Sequence, residues 1–194
     1  MEEKPMLTTA ELRWFARGTL PEEISQWFQQ DDLSGQLEPP EEREDLYLYS
    51  PENDYMGIKL RQGRLEIKWR KAEVGVLRFG DRVEGKAEKW VKWMCEDPTA
   101  EMFKPAAVVE KGPWVSVKKV RSQHQYENCA VELTKLNVQG NDWWSLAFEA
   151  VGNDINLMDN LQTVASSVFK SYRHPKLELE YSYAYPSWLQ RIGR

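Results

Sequence analysis

The stretch Gly57–Lys71 reads GIKLRQGRLEIKWRK. Two alternating runs flank Gln62-Gly63-Arg64, which is the pattern of a β-hairpin. Successive side chains of a strand point to opposite sides. Ile58 and Leu60 therefore share one face, and Lys59 and Arg61 the other. In the second run Leu65, Ile67 and Trp69 oppose Glu66, Lys68 and Arg70. The hairpin is apolar on one side and cationic on the other. Either the apolar side faces a core and the charges are solvated, or the charges line a cavity and the apolar side is covered from outside.

Other runs repeat the pattern. Lys119 and Arg121 share a face, as do Arg82 and Glu84, and Glu178 and Glu180. Glu149 sits among small and apolar neighbours in SLAFEAV. Each pair alone fits a surface strand with one solvated face. Four separated runs that pair bases, or a base with an acid, together with others that supply acids, also fit a barrel with a charged lining.

The remaining punctuation supplies strands and helices. Thr9–Ala16, Asp45–Ser50, Arg78–Glu84, Trp114–Gln123, Ala130–Val138, Trp143–Val151 and Lys176–Tyr183 read as strands besides the hairpin. Leu37–Asp45, LEPPEERED, reads as an acidic loop, SPEND as a turn, and Met1–Pro5 as a frayed end. Thr19-Leu20-Pro21-Glu22-Glu23 opens a helix with a threonine cap, continued by Ile24, Trp27 and Phe28. Ala87, Trp90, Val91 and Met94 predict a helix over Lys86–Asp97, and Leu157, Leu161, Val164, Val168 and Phe169 a helix over Asp154–Tyr172. About eight strands in hairpin-like order with about three helices give an α+β fold. It is mostly antiparallel β, a tunnel-like eight-stranded barrel with flanking helices, in a single domain over residues 1–194.

Composition narrows the function classes. A chain of 194 residues with 41% hydrophobic and 29% charged residues is globular. No apolar run approaches the roughly 20 residues of a membrane span, and the N-terminus lacks the apolar core of a signal peptide. Two cysteines, Cys95 and Cys129, make no disulfide framework, so a reduced, cytoplasmic protein is expected. The net charge of −5 argues against an extended nucleic-acid surface but leaves room for a local cationic site. His124 and His174 form no Cys/His cluster of zinc spacing. Phosphate-loop, dinucleotide and nucleophile-elbow motifs are absent. Cys95 reads as a structural thiol, and of Trp143 and Trp144 one reads as core and the other as rim.

The order of these motifs, from Thr9 to Trp188, resembles that of the CYTH or triphosphate tunnel metalloenzyme superfamily, which includes class IV adenylate cyclases, thiamine triphosphatases and inorganic triphosphatases. GIKLR resembles the family's basic strand, LEIKWR the strand that follows, Arg82 and Glu84 an arginine-and-acid strand, and VKKVRSQHQY a second basic strand. Glu149 fits the acidic strand and LELEYSYAYPSWL the terminal segment. The family's ExExK strand corresponds to Thr9-Ala10-Glu11-Leu12-Arg13, with Thr9 in place of its first glutamate and Arg13 in place of its lysine. Ala147 stands where a second glutamate of the acidic strand often sits.

The resemblance implies an antiparallel tunnel that holds a triphosphate and Mg²⁺ or Mn²⁺. Lys59, Arg61, Lys68, Arg82, Lys119, Arg121 and Arg13 would bind phosphate, and Glu11, Glu84 and Glu149 the metal, with Glu178 and Glu180 as compensating acids if they face inward. The expected function is binding, with hydrolysis, of a triphosphate-containing or other organophosphate small molecule. The alternative is a phosphate-binding module without catalysis, its metal site depleted at Thr9 and Ala147.

Overall fold

The inward row of the first strand sets the pattern for the whole sheet. Thr9, Glu11, Arg13 and Phe15 alternate with Ala10, Leu12 and Trp14, and both rows are withdrawn from solvent. A strand with two covered faces belongs to a closed sheet packed on both sides. The computed structural model describes residues 6–30, 33–62, 64–96 and 112–192. Its eight strands are β1 (Leu7–Arg17), β2 (Gln36–Leu48), β3 (Met56–Arg61), β4 (Arg64–Phe79), β5 (Val83–Glu96), β6 (Trp114–Gln125), β7 (Cys129–Val138) and β8 (Asn141–Val151). They close antiparallel in the order β1-β5-β4-β3-β2-β6-β7-β8. Among the described residues three helices accompany them: α1 (Glu22–Phe28), α2 (Leu157–Phe169) and α3 (Tyr185–Ile192). No described helix is long and apolar enough to cross a membrane.

The main core lies outside the barrel. Leu12 and Trp14 of β1, Val131 and Leu133 of β7, and Leu146 and Phe148 of β8 are covered by Leu161, Val168 and Phe169 of α2. Trp14 meets Phe169 edge-on, with centroids 5.8 Å apart, and its Nε1 donates to the Glu84 carbonyl at 2.8 Å. Gly85 makes room for that indole, since a Cβ there would lie 2.4 Å from Trp14 Cζ2. A second core fills one end of the barrel. Phe15, Val117, Leu136 and Val138 surround Trp188 and Leu189 of α3, and Phe15 stacks on Trp188 at 4.9 Å.

The expected hairpin is present, with Ile58 opposite Ile67 and Lys59 opposite Glu66. The helix over Asp154–Tyr172 is α2, shorter at both ends.

Several segments differ from their sequence reading. Leu37–Asp45 is not a loop but part of β2, and its prolines fall where the β2–β6 register shifts between Glu38 and Glu41. Only β6 pairs with β2 there, so prolines at a bulge remove no ladder bond. Lys86–Asp97 is not a helix. Residues up to Glu96 form β5, and Asp97 lies outside the described residues. The helical spacing arises because Trp90 faces the lumen while Ala87 packs in the outer core, so apolar residues occupy both parities. Arg78–Glu84 is not one strand: it holds the end of β4, a turn over residues 80–82 with Gly80 at φ 63°, and the start of β5.

Lys176–Tyr183 is not a barrel strand either. It makes a single 3₁₀ turn over Leu179–Tyr181 and two isolated bridges, from Leu177 to Val83 and from Ser182 to Trp14. Helix α1 is preceded by Pro21 with no side-chain cap, so Thr19 does not cap it. Met1–Pro5 and the side chain of Cys95 lie outside the described residues.

Candidate functional site: a basic lumen

The cationic face of the hairpin points into the barrel. A cavity of about 280 Å³ is lined by Lys59 and Arg61 of β3 and Lys68 of β4, with Arg13, Lys119 and Arg121 arriving from β1 and β6. Arg82 is not among them. It is exposed in the β4–β5 turn. Arg43 of β2 and Lys92 of β5 also line the cavity, and neither was foreseen. Arg43 was hidden inside the presumed acidic loop, and Lys92 inside the presumed helix. Strand parity would have found both had those segments been read as strands.

Four glutamates share the lining: Glu11, Glu66, Glu132 and Glu149. Eight bases thus face four acids. Each acid is held by cations. Glu66 Oε2 lies 2.8 Å from Lys59 Nζ, and Glu66 Oε1 lies 3.6 Å from Arg61 Nη1. Glu132 joins Arg121 at 2.7 Å and Arg13 at 3.3 Å. Lys68 bonds Glu11 and lies 3.6 Å from Glu149. Glu132 is directly opposite Ala147 across β7 and β8, and Ala147 in turn is opposite Arg13. The small side chain at 147 lets Arg13 reach across to Glu132.

At the plugged end a buried knot closes the lumen. Asp45, fully buried, meets Lys119 at 2.9 Å, Arg61 at 3.1 Å and Arg43 at 3.5 Å. Lys119 Nζ also donates to the Tyr47 hydroxyl at 2.5 Å and the Tyr185 hydroxyl at 3.0 Å. Three acceptors use all three of its N–H bonds. Lys119 therefore borders the cavity but anchors the start of α3, and Arg13 lies over the same Tyr185 ring, 4.9 Å from its centroid.

Charge placement shifts the titrations. Burial alone would raise the Asp45 carboxyl, but Lys119 and Arg61 hold it far below the usual carboxylate range. Burial likewise works against Glu132, but Arg13 and Arg121 hold it well below the usual carboxylate range. Burial would lower the Lys68 ammonium, yet Glu11 and Glu149 outweigh it and hold it raised. Lys59 goes the other way. Burial and the neighbouring Arg61 guanidinium bring it down to about 7, outweighing Glu66.

The carboxylates expected for a metal do not assemble. Glu11 and Glu149 face each other in register. Glu84 is half-exposed outside the lumen and pairs with Arg78 at 2.9 Å. Glu178 and Glu180 are exposed as well. Among the described residues no group of three or more His, Cys, Asp or Glu side chains could hold a metal ion. A hard divalent cation takes about six oxygen ligands. Two carboxylates, one bonded to the Lys68 ammonium and the other 3.6 Å from it, fall short of the set that Mg²⁺ or Mn²⁺ requires.

The remaining candidates are structural. His124 is buried, with its ring nitrogens at the carbonyls of Gly35 and Phe28. Cys129 lies in the outer core, where burial and then Glu149 push its thiol up to about 12. Trp143 packs against Trp188 at the plugged end and Trp144 joins the outer core.

No family model matches the sequence, and no curated protein does. Solved structures share the fold. A conserved hypothetical protein from Pyrococcus furiosus superposes with TM-score 0.51 at 14% identity, covering 92% of this chain and 98% of that one. A chain of the Schizosaccharomyces pombe Mediator head module gives TM-score 0.51 at 9% identity, covering 89% and 99%. At these identities the likeness is one of fold alone. The Pct1 RNA triphosphatase of Schizosaccharomyces pombe is a looser match, at TM-score 0.44 and 13% identity over 96% of this chain and 80% of that one. The architecture itself is a closed antiparallel barrel of eight strands.

Proposed function

We propose that the lumen binds a compact, phosphate-bearing small molecule. The observation that carries this reading is the charge excess: eight bases against four acids around one cavity, in a chain of net charge −5. Most of the chain's surplus acid is elsewhere, so the concentration of bases is local. Guanidinium and ammonium groups give charge-assisted hydrogen bonds to phosphate oxygens, and arginine does so in a fork. The volume, about 280 Å³, lies at the small end of ligand cavities and suits a triphosphate-sized anion rather than an extended strand.

Between binding alone and hydrolysis, the reading favours binding. A general base must be basic enough to take a proton from water. Against burial, neighbouring cations hold Glu66 and Glu132 below the usual carboxylate range, and Lys68 does the same for Glu149.

Thermal unfolding with inorganic triphosphate, thiamine triphosphate and nucleoside triphosphates tests the proposal. A ligand at about 100 times its Kd adds about 2.7 kcal/mol to apparent stability. A saturable rise in Tm with at least one phosphate compound is expected, together with no phosphate release above background at saturating Mn²⁺. No rise with any of them contradicts the binding reading, and fast phosphate release contradicts the preference for binding over hydrolysis.

A further inference from the structure

We propose that Lys68 is a built-in counter-cation between Glu11 and Glu149, so that the lumen takes its phosphate ligand without a divalent metal ion. This rests on the phosphate-binding reading of the same cavity and deepens it.

The two carboxylates come from adjacent strands, β1 and β8, at directly opposed positions. Such a pair repels itself unless a cation lies between. Lys68 reaches it from β4, bonding Glu11 and standing 3.6 Å from Glu149 Oε2. Thr9, itself fully buried, donates its hydroxyl to Glu11 Oε1 at 2.6 Å and takes a further lone pair of that carboxylate. The next acid in the lumen, Glu132, is turned to Arg13 and Arg121. A divalent ion entering here would have to displace an ammonium and sit beside the Arg13 guanidinium, with two carboxylates to compensate both. The lysine already supplies the positive charge at that place. What a metal would add for a bound polyanion, neutralisation of its oxygens, is supplied at the other side of the cavity by Arg43, Arg61, Lys59 and Arg121.

The test uses the full chain in two measurements. Calorimetric titration of inorganic triphosphate is run in EDTA and again in excess Mg²⁺. The same Kd in both is expected, and binding that appears only with Mg²⁺ overturns the inference. Absence of binding in both conditions rejects the phosphate-binding reading, while the second measurement still judges Lys68. That measurement titrates Mn²⁺ alone and follows the free ion by its paramagnetic resonance. The natural chain is expected to leave Mn²⁺ free, whereas Lys68→Met, with its fold checked by circular dichroism, binds it and loses it again when Glu11→Gln is added. Mn²⁺ binding by the natural chain that Glu11→Gln abolishes contradicts the inference. So does a folded Lys68→Met chain that leaves Mn²⁺ free. Should Lys68→Met fail to fold, Lys68→Gln replaces it, and the measurements on the natural chain stand by themselves.

Discussion

The two ends of the lumen are built on the same strands and differ in what fills them. On β1 the inward row runs Glu11, Arg13, Phe15. On β6 it runs Val117, Lys119, Arg121, and on β7 Glu132, Thr134, Leu136, Val138. At one end the row is apolar and α3 fills the space with Trp188 and Leu189. In the middle the row turns charged and encloses the cavity. The Asp45, Lys119, Tyr47 and Tyr185 knot marks the change. The plugged end contributes stability by burying apolar area. The charged section contributes little net stability, because buried ion pairs must first recover their desolvation cost. In the proposed function its bases are held in place for a phosphate ligand.

Three perturbations sharpen or break that division. The largest effect belongs to the plugged end. Trp188→Ala removes a fully buried indole, and denaturant unfolding is expected to show a loss of about 3–5 kcal/mol. A loss near zero would show that the end is not a packed core. The next effect belongs to the charged section. Arg61→Ala or Arg121→Ala removes a charge-assisted contact, and calorimetry is expected to show triphosphate affinity lower by about 1.5–3 kcal/mol, roughly 10- to 150-fold. Unfolding free energy should fall less than in Trp188→Ala. Unchanged affinity in both variants removes these arginines from the site.

The smallest effect is a pH dependence centred on Lys59. Its folded-state value, about 7, is below the ordinary lysine value of 10.5. Below about pH 7 the group is charged in the folded protein, and above it the group is neutral. Sulfate stays fully ionised across this range, so its affinity reads the protein alone. Affinity is expected to fall by about 0.5–1 kcal/mol, roughly two- to fivefold, as pH rises through that value, and the fall is expected to vanish in Lys59→Met. The stability term has the opposite sign. Between about 7 and 10.5 the unfolded chain binds more protons at this lysine, so its contribution favours the folded state more as pH rises. A sulfate affinity that is flat in the natural chain would place Lys59 outside the binding surface.

Much of this was legible in the sequence where alternation was strict. The parity of Lys59 and Arg61 against Ile58 and Leu60 is a local fact, and so is that of Lys119 and Arg121. The helix α2 declared its apolar face because only that face is covered. What alternation could not say is which side is inside, since a barrel with a charged lumen reverses the usual rule. The strand β5 was misread for a physical reason. Ala87 and Val91 pack outward and Trp90 inward, so the apolar residues imitate a helical stripe. The prolines of β2 concealed Arg43 and Asp45, because a bulge on a strand paired on one side tolerates residues that elsewhere mean a loop. Arg82, Glu84, Glu178 and Glu180 had acceptable parity, but they lie beyond the closed part of the sheet, and sequence spacing carries no information about where a barrel ends.

The central claim is that the lumen, rather than the outer surface, is where this chain holds an anion. A crystal of the full chain soaked in tungstate tests it most directly, because anomalous scattering locates the ion without reference to any activity. The account predicts a tungstate in the cavity within hydrogen-bonding distance of Arg61 and Arg121, absent from crystals of the Arg61→Ala, Arg121→Ala double variant. Tungstate bound only to outward-facing lysines and arginines, with the lumen holding none, would contradict it.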